Sequence, residues 1–149
     1  MNPLPPNTDP SDADPNRPTP THDGGEHDQQ VHDFAIEAAR QLRDDHCEDV
    51  LLFDVRGHSQ ITDYILIASG TSDRQMRSAG KNLEDLGKNY DMHRYGRDED
   101  AATTWLVVDF VNVMVHLFEP AMRAHYDLEM MWGDAPQIRW RRPQDKSES

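Results

Sequence analysis

The strongest constraint on the fold is a pair of apolar runs that are almost adjacent in the sequence. Thr104 to Phe110 and Val113 to Phe118 are rich in β-branched and aromatic side chains, a composition typical of strands. Only Val111 and Asn112 separate the two runs. If these two residues form the turn, the strands pair antiparallel and the short connection fixes their register.

This register divides the hairpin into two faces, because side chains alternate along a strand. One face is uniformly apolar and is predicted to be core: Leu106, Val108, Phe110, Val113, Val115 and Leu117. The other face mixes large apolar and polar groups: Trp105, Val107, Asp109, Met114, His116 and Phe118. Such a mixture is typical of a partly covered surface or an interface. We therefore expect partner contacts on the second face.

Other parts of the chain carry weaker helix and strand signals. Apolar residues recur at helical spacing from Val31 to about Asp45, and Ser72 with Gln75 forms a capping box that opens a second helix. The expected elements are helices 31–45 and 72–88, strands 50–55, 64–68 and a weak one at 92–95, an acidic loop at 97–100, and a short helix at 120–126 followed by a turn to 132. This order indicates one α+β domain with a mixed sheet flanked by helices.

Both ends of the chain are predicted to lie outside the domain. Residues 1–30 hold most of the ten prolines with many polar residues, so they cannot offset the entropy lost on ordering. We expect residues 1–30 to be disordered, residues 31–142 to form the domain, and residues 143–149 to be flexible. At 149 residues the chain has material for a single core.

The charge of the chain restricts its partners. The net charge is -13, and both the tail and the body are acidic. Nucleic-acid affinity comes largely from basic side chains that displace counterions, so direct sequence-specific nucleic-acid binding is not expected. A basic protein surface is the expected partner. No apolar segment is long enough to span a membrane and no secretory leader is recognised, so we expect a cytoplasmic protein.

Candidate catalytic groups are isolated in the sequence. Cys47 is the single cysteine, and it lacks a positioned base. His116 stands in an apolar strand without a nucleophile motif. The acids Asp54, Asp63 and Asp109 invite a two-metal nucleotidyltransferase interpretation, with the turn 68–72 binding phosphate, but strand 50–55 has no pair of acids two residues apart. We therefore expect no enzyme activity, no metal site and no cofactor.

Seven short motifs occur in the order seen in one known family. They are Asp54-Val55-Arg56-Gly57; Thr62-Asp63-Tyr64; Ala68-Ser69-Gly70-Thr71-Ser72 with Arg74-Gln75; Trp105-Leu106-Val107-Val108-Asp109; Val115-His116-Leu117-Phe118; Tyr126-Asp127-Leu128-Glu129; and Trp132-Gly133-Asp134-Ala135-Pro136. Together they cover roughly Val31 to Ile138. In this region the chain resembles the ribosomal silencing factors, also called RsfS or Iojap proteins.

The resemblance implies a function as well as a fold. It implies a domain related to nucleotidyltransferases but without catalysis. It further implies binding to large-subunit ribosomal protein fourteen, which blocks joining of the two ribosomal subunits and lowers translation when nutrients are short. Homodimers in free solution are also implied.

Four residues correspond to partner-binding positions of that family. Trp105 and Leu106 match its tryptophan–leucine pair, and Asp109 and His116 match polar positions on the mixed face. The hairpin register turns Leu106 toward the core, so Leu106 either lies at a strand edge that is reachable from both sides or positions Trp105.

Alternatives remain open from the sequence for Trp105, for the function and for the hairpin turn. The alternative to partner binding is that Trp105 is an aromatic residue of the core or of a dimer interface. For the function, the alternatives are a small nucleotidyltransferase and a dimeric adaptor with another target. Val111 stands where the family usually has glycine, and a valine resists the positive φ of a tight turn, so a different turn and a shifted register are also possible.

Overall fold

The structure, a computed structural model, describes residues 16–122 and 132–143. The predicted helices 31–45 and 72–88 and the predicted strands are present in the expected order, with one strand displaced. In chain order the elements are α1 (Glu26–Asp44), β1 (Glu48–Asp54), β2 (Tyr64–Ser69), α2 (Asp73–Lys88), β3 (Gly96–Glu99), β4 (Trp105–Asp109) and β5 (Val113–Phe118).

The five strands form one mixed sheet in the order β1-β2-β5-β4-β3. The β2–β5 pair is parallel, and the β1–β2, β4–β5 and β3–β4 pairs are antiparallel. Helices α1 and α2 pack against one face of this sheet and against each other. This arrangement confirms the predicted single α+β domain with a mixed sheet flanked by helices.

The central hairpin has the predicted register. Trp105 pairs with Phe118 and Asp109 with Met114, so the two faces are divided as the sequence indicates. The turn accommodates Val111 by placing it at a φ of 72°. The amide of Asn112 then donates to the carbonyl of Phe110 at 2.9 Å, the three-residue closure of a γ-turn. The valine therefore leaves the register unchanged but strains the turn.

The predicted strand at 92–95 is wrong, because the strand lies at Gly96–Glu99 instead. The charged sequence of residues 96–99 is typical of a loop, but these residues form β3, the edge strand beside β4. Charged side chains are tolerated on an edge strand because one side of it is open to solvent. Met92 follows α2 and is buried, and its backbone amide donates a hydrogen bond to the carbonyl of Gly87 in that helix. Pairing with the following strand β4, rather than the composition of residues 96–99, decided the location of this strand.

Helix α1 begins at Glu26, earlier than the predicted Val31. The carboxylate of Asp23 accepts the amides of Gly25, His27 and Asp28 at 2.8 to 3.2 Å, which satisfies donors that are free at a helix start. These hydrogen bonds hold the pKa of Asp23 below its ordinary value. Residues 16–30 therefore have defined contacts in the structure, unlike the disordered tail expected there, whereas residues 1–15 lie outside the described part.

Helix α2 starts where its capping box predicts. The Ser72 hydroxyl accepts the amide of Gln75 at 3.0 Å. The Gln75 side chain does not return to Ser72; its Oε1 accepts the amide of Thr71 at 3.0 Å, and its Nε2 donates to the carbonyl of Asp45 at 2.7 Å. This glutamine thus joins the end of α1 to the start of α2.

The chain after β5 returns to the sheet. Pro120 opens a helical turn as predicted, but most of the expected helix 120–126 and the turn toward 132 lie outside the described residues. Farther on, the carbonyl of Pro136 accepts from Asp54, and the amide of Ile138 donates to Leu52, both at 2.8 Å. These bonds cover the outer edge of β1. Residues 144–149 of the predicted flexible end are likewise not described. Among the helices of the described part, none is long and apolar enough to cross a membrane.

Candidate partner-binding site

The four predicted partner-binding residues lie on the two central strands of the sheet. Trp105, Asp109 and His116 share the face opposite the helices, and Leu106 points to the helical side. Their exposed fractions are only 1%, 0%, 3% and 2% for Trp105, Leu106, Asp109 and His116. The chain's own residues therefore cover all four in this conformation.

Trp105 and His116 form one buried hydrogen-bonded unit. The indole Nε1 donates to His116 Nδ1 at 3.1 Å, and the indole ring stacks at a tilt against Phe118 with centroids 4.3 Å apart. An indole N–H only donates, so Nδ1 of His116 must be unprotonated. Burial lowers the pKa of His116 to about 4, which keeps the ring neutral at pH 7.

Leu106 is a core residue in the structure. Strand β4 has a neighbour on each side, β3 and β5, so Leu106 does not lie at a sheet edge. Its side chain packs so near helix α2 that a Cβ added at Gly80 would meet Leu106 Cδ2 at 3.4 Å. The alternative in which Leu106 lies at a strand edge that is reachable from both sides is therefore wrong, and the alternative in which Leu106 positions Trp105 stays a prediction.

The mixed face is a second core rather than an open surface. Residues from the chain after β5, namely Met122, Trp132 and Ala135, pack against the same cluster as Trp105. The mixed face is therefore more deeply buried than the partly covered face that the sequence predicts. The cause is tertiary, because residues distant from the hairpin in sequence fold over it.

Asp109 binds a residue of the predicted disordered tail. Arg17 Nε lies 2.6 Å from Asp109 Oδ2, and Arg17 Nη2 lies 2.8 Å from Oδ1, which makes a two-pronged ion pair. The exposed fractions of the two side chains are 8% and 4%. The guanidinium also donates to the carbonyls of Ile61 at 2.5 Å and Val111 at 3.1 Å. This ion pair is buried, unlike a usual surface pair.

A second contact ties the same segment to the neighbouring loop. His22 Nε2 lies 2.7 Å from Asp63 Oδ1, and Asn112 Nδ2 donates to Asp63 Oδ2 at 2.8 Å. The hydrogen bond and the charge of Asp63 raise the pKa of His22. Asn112 also donates to the carbonyl of Thr21 at 3.3 Å. We call residues 16–25, with these contacts, the N-terminal strap.

The sequence interpretation missed Arg17 and His22 as contact residues. One signal was present, since Arg17 is the only lysine or arginine among the first thirty residues. A lone arginine in an acidic segment is a weak signal, because its partner Asp109 lies 92 positions away. Composition alone therefore classed the strap with the rest of the tail.

The three candidate metal-binding aspartates each have a separate arginine or histidine partner. Asp54 binds Arg56 at 2.6 and 2.9 Å, and this hydrogen bonding lowers the pKa of Asp54. Asp63 binds His22, and Asp109 binds Arg17. Within residues 16–122 and 132–143, no group of three or more His, Cys, Asp or Glu side chains could hold a metal ion. The carboxylates are thus engaged in structural pairs.

The glycine turn and the cysteine also have structural explanations. A Cβ on Gly70 would collide with Met76 Cγ, so close packing of the turn on α2 requires glycine. Cys47 is buried, and burial raises the pKa of its thiol to about 11. Such a thiol stays protonated and is a poor nucleophile at neutral pH.

Solved structures with the same architecture exist. A crystal structure of a Chromobacterium violaceum protein has a TM-score of 0.62 at 26% identity and covers 81% of this chain and 98% of that chain. One from Bacillus halodurans has a TM-score of 0.60 at 25% identity, covering 74% of this chain and 98% of that chain. The fold therefore defines a class of small α+β proteins with this five-stranded mixed sheet.

Sequence comparison identifies the family. The family model described as "Ribosomal silencing factor during starvation" matches residues 28–149. Ribosomal silencing factor RsfS of Bacillus subtilis strain 168 is 34% identical over 99 residues, 66% of this chain and 84% of that protein. The Haemophilus influenzae protein of the same name is 37% identical over 84 residues, 56% of this chain and 82% of its own length. The chain belongs to the ribosomal silencing factor family.

The family extends to organelles. A mouse protein named "Mitochondrial assembly of ribosomal large subunit protein 1" is 32% identical over 97 residues, 61% of this chain and 41% of that protein. An Arabidopsis thaliana protein named "Protein Iojap, chloroplastic" is 31% identical over 108 residues, 70% of this chain and 44% of that protein. Sequence similarity to this chain is thus found in both bacterial and organellar proteins.

Proposed function

We propose that this chain binds the large ribosomal subunit, keeps the small subunit from joining it, and so represses translation when nutrients are limited. The observation that carries the proposal is the family match over residues 28–149, which includes α2, the five strands and all but the first two residues of α1. The name of the mouse relative, which refers to assembly of the large subunit, supports the same partner. Acting on ribosomes, the protein would work in the cytoplasm and without catalysis.

Within this proposal the direct contact is large-subunit ribosomal protein fourteen. A net charge of -13 disfavours docking on bare ribosomal RNA and favours a basic protein surface. Charge complementarity of this kind speeds association and suppresses wrong partners. Occupying that protein at the subunit interface blocks joining by steric exclusion alone, so no chemical step is needed.

We assign the docking surface to the face that carries Trp105, Asp109 and His116, with Leu106 supporting Trp105 from the opposite side. Because these residues are buried in the free chain, contact through Trp105 requires the covering residues near Met122 and Trp132 to move aside. Aromatic residues that become fully enclosed by a partner often contribute most of the binding energy. In the free chain, Trp105 is then covered by the chain's own residues. We also propose that the free protein forms homodimers.

Sedimentation with separated ribosomal subunits tests the proposal. We expect the chain to pellet with large subunits, not with small ones, and to lower the yield of joined ribosomes in a light-scattering assay. Asp109→Asn should weaken pelleting roughly tenfold, whereas the matched change Asp98→Asn on the exposed edge strand should not. Absence of pelleting together with normal subunit joining would refute the proposal.

The enzyme and adaptor alternatives have their own readouts. A nucleotidyltransferase would show micromolar binding of a nucleoside triphosphate with magnesium in calorimetry, and none is expected because each candidate aspartate is already paired with an arginine or histidine of the chain. An adaptor with another target would form dimers in analytical ultracentrifugation without pelleting with large subunits.

A further inference from the structure

The environment of Arg17 has the properties of a binding pocket for a guanidinium group. The Asp109 carboxylate receives two N–H groups side by side, and the carbonyls of Ile61 and Val111 receive others. This planar fork of donors is specific to arginine, because a lysine ammonium cannot match two carboxylate oxygens and two carbonyls in one plane. The acceptors come from the loop before β2, the end of β4 and the hairpin turn, so the folded domain builds the pocket.

The residue that fills the pocket comes from outside the family domain. The family match begins at residue 28, whereas Arg17 belongs to the strap that precedes α1. The pocket itself, at Ile61, Asp109 and Val111, lies inside the matched region. The site and its occupant therefore belong to different parts of the chain.

We propose that this pocket is a docking point for an arginine side chain of the basic partner protein, and that Arg17 occupies it in the free chain and competes with that partner. The docking part rests on the proposed function. Asp109 is almost fully buried while Arg17 covers it, and a carboxylate in such a place is stabilised by a paired cation. Exchange of one arginine for another keeps it paired, whereas simple release of the strap would leave it unpaired.

The contacts of the strap are suited to reversible release. Beyond Arg17, side-chain contacts also join the strap to the sheet side: His22, about half exposed, lies on Asp63, and Asn112 donates a hydrogen bond to the carbonyl of Thr21. No strand pairing joins residues 16–25 to the sheet. A segment held by a few side-chain contacts opens at low free energy relative to the core. A competing segment lowers the apparent affinity for the partner by the fraction of time that the pocket is open.

The first test uses free arginine amide as the probe and amide shifts of Val111 and Asn112 in NMR spectra as the readout. In full-length Arg17→Ala the probe should shift both amides, and lysine amide should do so much less. The wild-type chain should respond only at a far higher probe concentration. If a folded Arg17→Ala chain does not respond to arginine amide, the pocket proposal is overturned.

A second variant covers the case in which Arg17→Ala fails to fold. Arg17→Lys keeps a positive charge beside Asp109 but loses the fork of donors, so arginine amide should displace the substituted lysine more readily than it displaces Arg17. Equal resistance of Arg17→Lys and the wild-type chain to the probe would also overturn the proposal.

The competition is tested with isolated large subunits. Arg17→Ala should pellet at a protein concentration roughly tenfold lower than wild type does. Arg94→Ala is the matched control, because it removes one arginine from the surface pair with Glu84 and changes the net charge equally. Equal pelleting of Arg17→Ala and wild type would refute the competition. If no variant pellets at all, the proposed function fails, while the amide titration still decides whether the pocket binds guanidinium.

Discussion

The indole of Trp105 donates its hydrogen bond to Nδ1 of His116 across the β4–β5 pair, at 3.1 Å and away from solvent. This contact joins two residues that the family resemblance marks for partner binding. In the free chain it serves the second core, since an aromatic N–H buried without an acceptor would be costly. The same pair thus has a structural role that must be separated from any role in docking.

The first prediction concerns the contribution of Trp105 to stability. Trp105→Ala should lower the free energy of unfolding by about 3 kcal/mol or more, because it empties a large buried volume and leaves His116 without its donor. Urea denaturation followed by circular dichroism measures this change. Tyr95→Ala serves as the control, because Tyr95 is 39% exposed and its loss should change stability by under about 1 kcal/mol. A Trp105→Ala chain as stable as the control would show that the indole is not core.

The second prediction is a pH dependence from His116. The unfolded chain binds a proton on this residue near its ordinary pKa of 6.5, while the buried ring resists protonation down to a pKa of about 4. The free energy of unfolding should therefore fall as the pH drops from 6.5 to 4, by about 3 kcal/mol at most from this residue. His116→Gln keeps an acceptor for the indole and removes the titration, so its stability should fall less over that range. Parallel pH profiles of the two proteins would contradict the prediction.

The third prediction concerns the hairpin turn. Val111 has a φ of 72°, a conformation that is unfavourable by about 1 to 2 kcal/mol for a side chain with a Cβ. Val111→Gly should therefore raise the free energy of unfolding by up to about 1 kcal/mol after the extra flexibility of glycine is counted. Gly57→Ala is the converse control: Gly57 has a φ of 83° with open space around it, so alanine there should be destabilising. Chemical denaturation of the three proteins compares them, and a less stable Val111→Gly chain would mean that the turn is not strained.

The fourth prediction concerns the pH response of the N-terminal strap. The pKa of His22 is raised by Asp63, so the His22–Asp63 contact is fully present below pH 6.5 and is lost as the pH rises through the raised pKa. Histidine NMR titration should give a pKa for His22 above 6.5, and Asp63→Asn should bring it back toward that value. Titration of His22 at the same pKa in both proteins would rule out this contact in solution.

The hairpin could be predicted from the sequence because its determinants are local. Alternation of side chains and a two-residue connection define both the register and the two faces, and the structure has the same pairing of Trp105 with Phe118. The capping box of Ser72 is local in the same way. Elements of this kind need no knowledge of the rest of the chain.

The parts that could not be predicted depend on pairing between strands and, for the site, on contacts between residues distant in sequence. Strand β3 has a charged sequence and is a strand only because β4 is beside it. The burial of Trp105 depends on residues near Trp132, and the strap depends on an ion pair between Arg17 and Asp109. Long-range contacts of this kind leave almost no periodic signal in the sequence, which is why the site looked open when the sequence alone was considered.

Reaction of Cys47 with a thiol reagent can be used to measure local opening of the domain. Its thiol is the single one in the sequence, it is buried where α1 joins β1, and its pKa of about 11 makes it slow to react. A thiol-specific reagent therefore gains access only when the residues that cover Cys47, among them Gln75, move away from it. The labelling rate would measure how often this region on the helical side of the sheet opens. Comparing the rate with and without large subunits would show whether docking on the opposite face changes that opening.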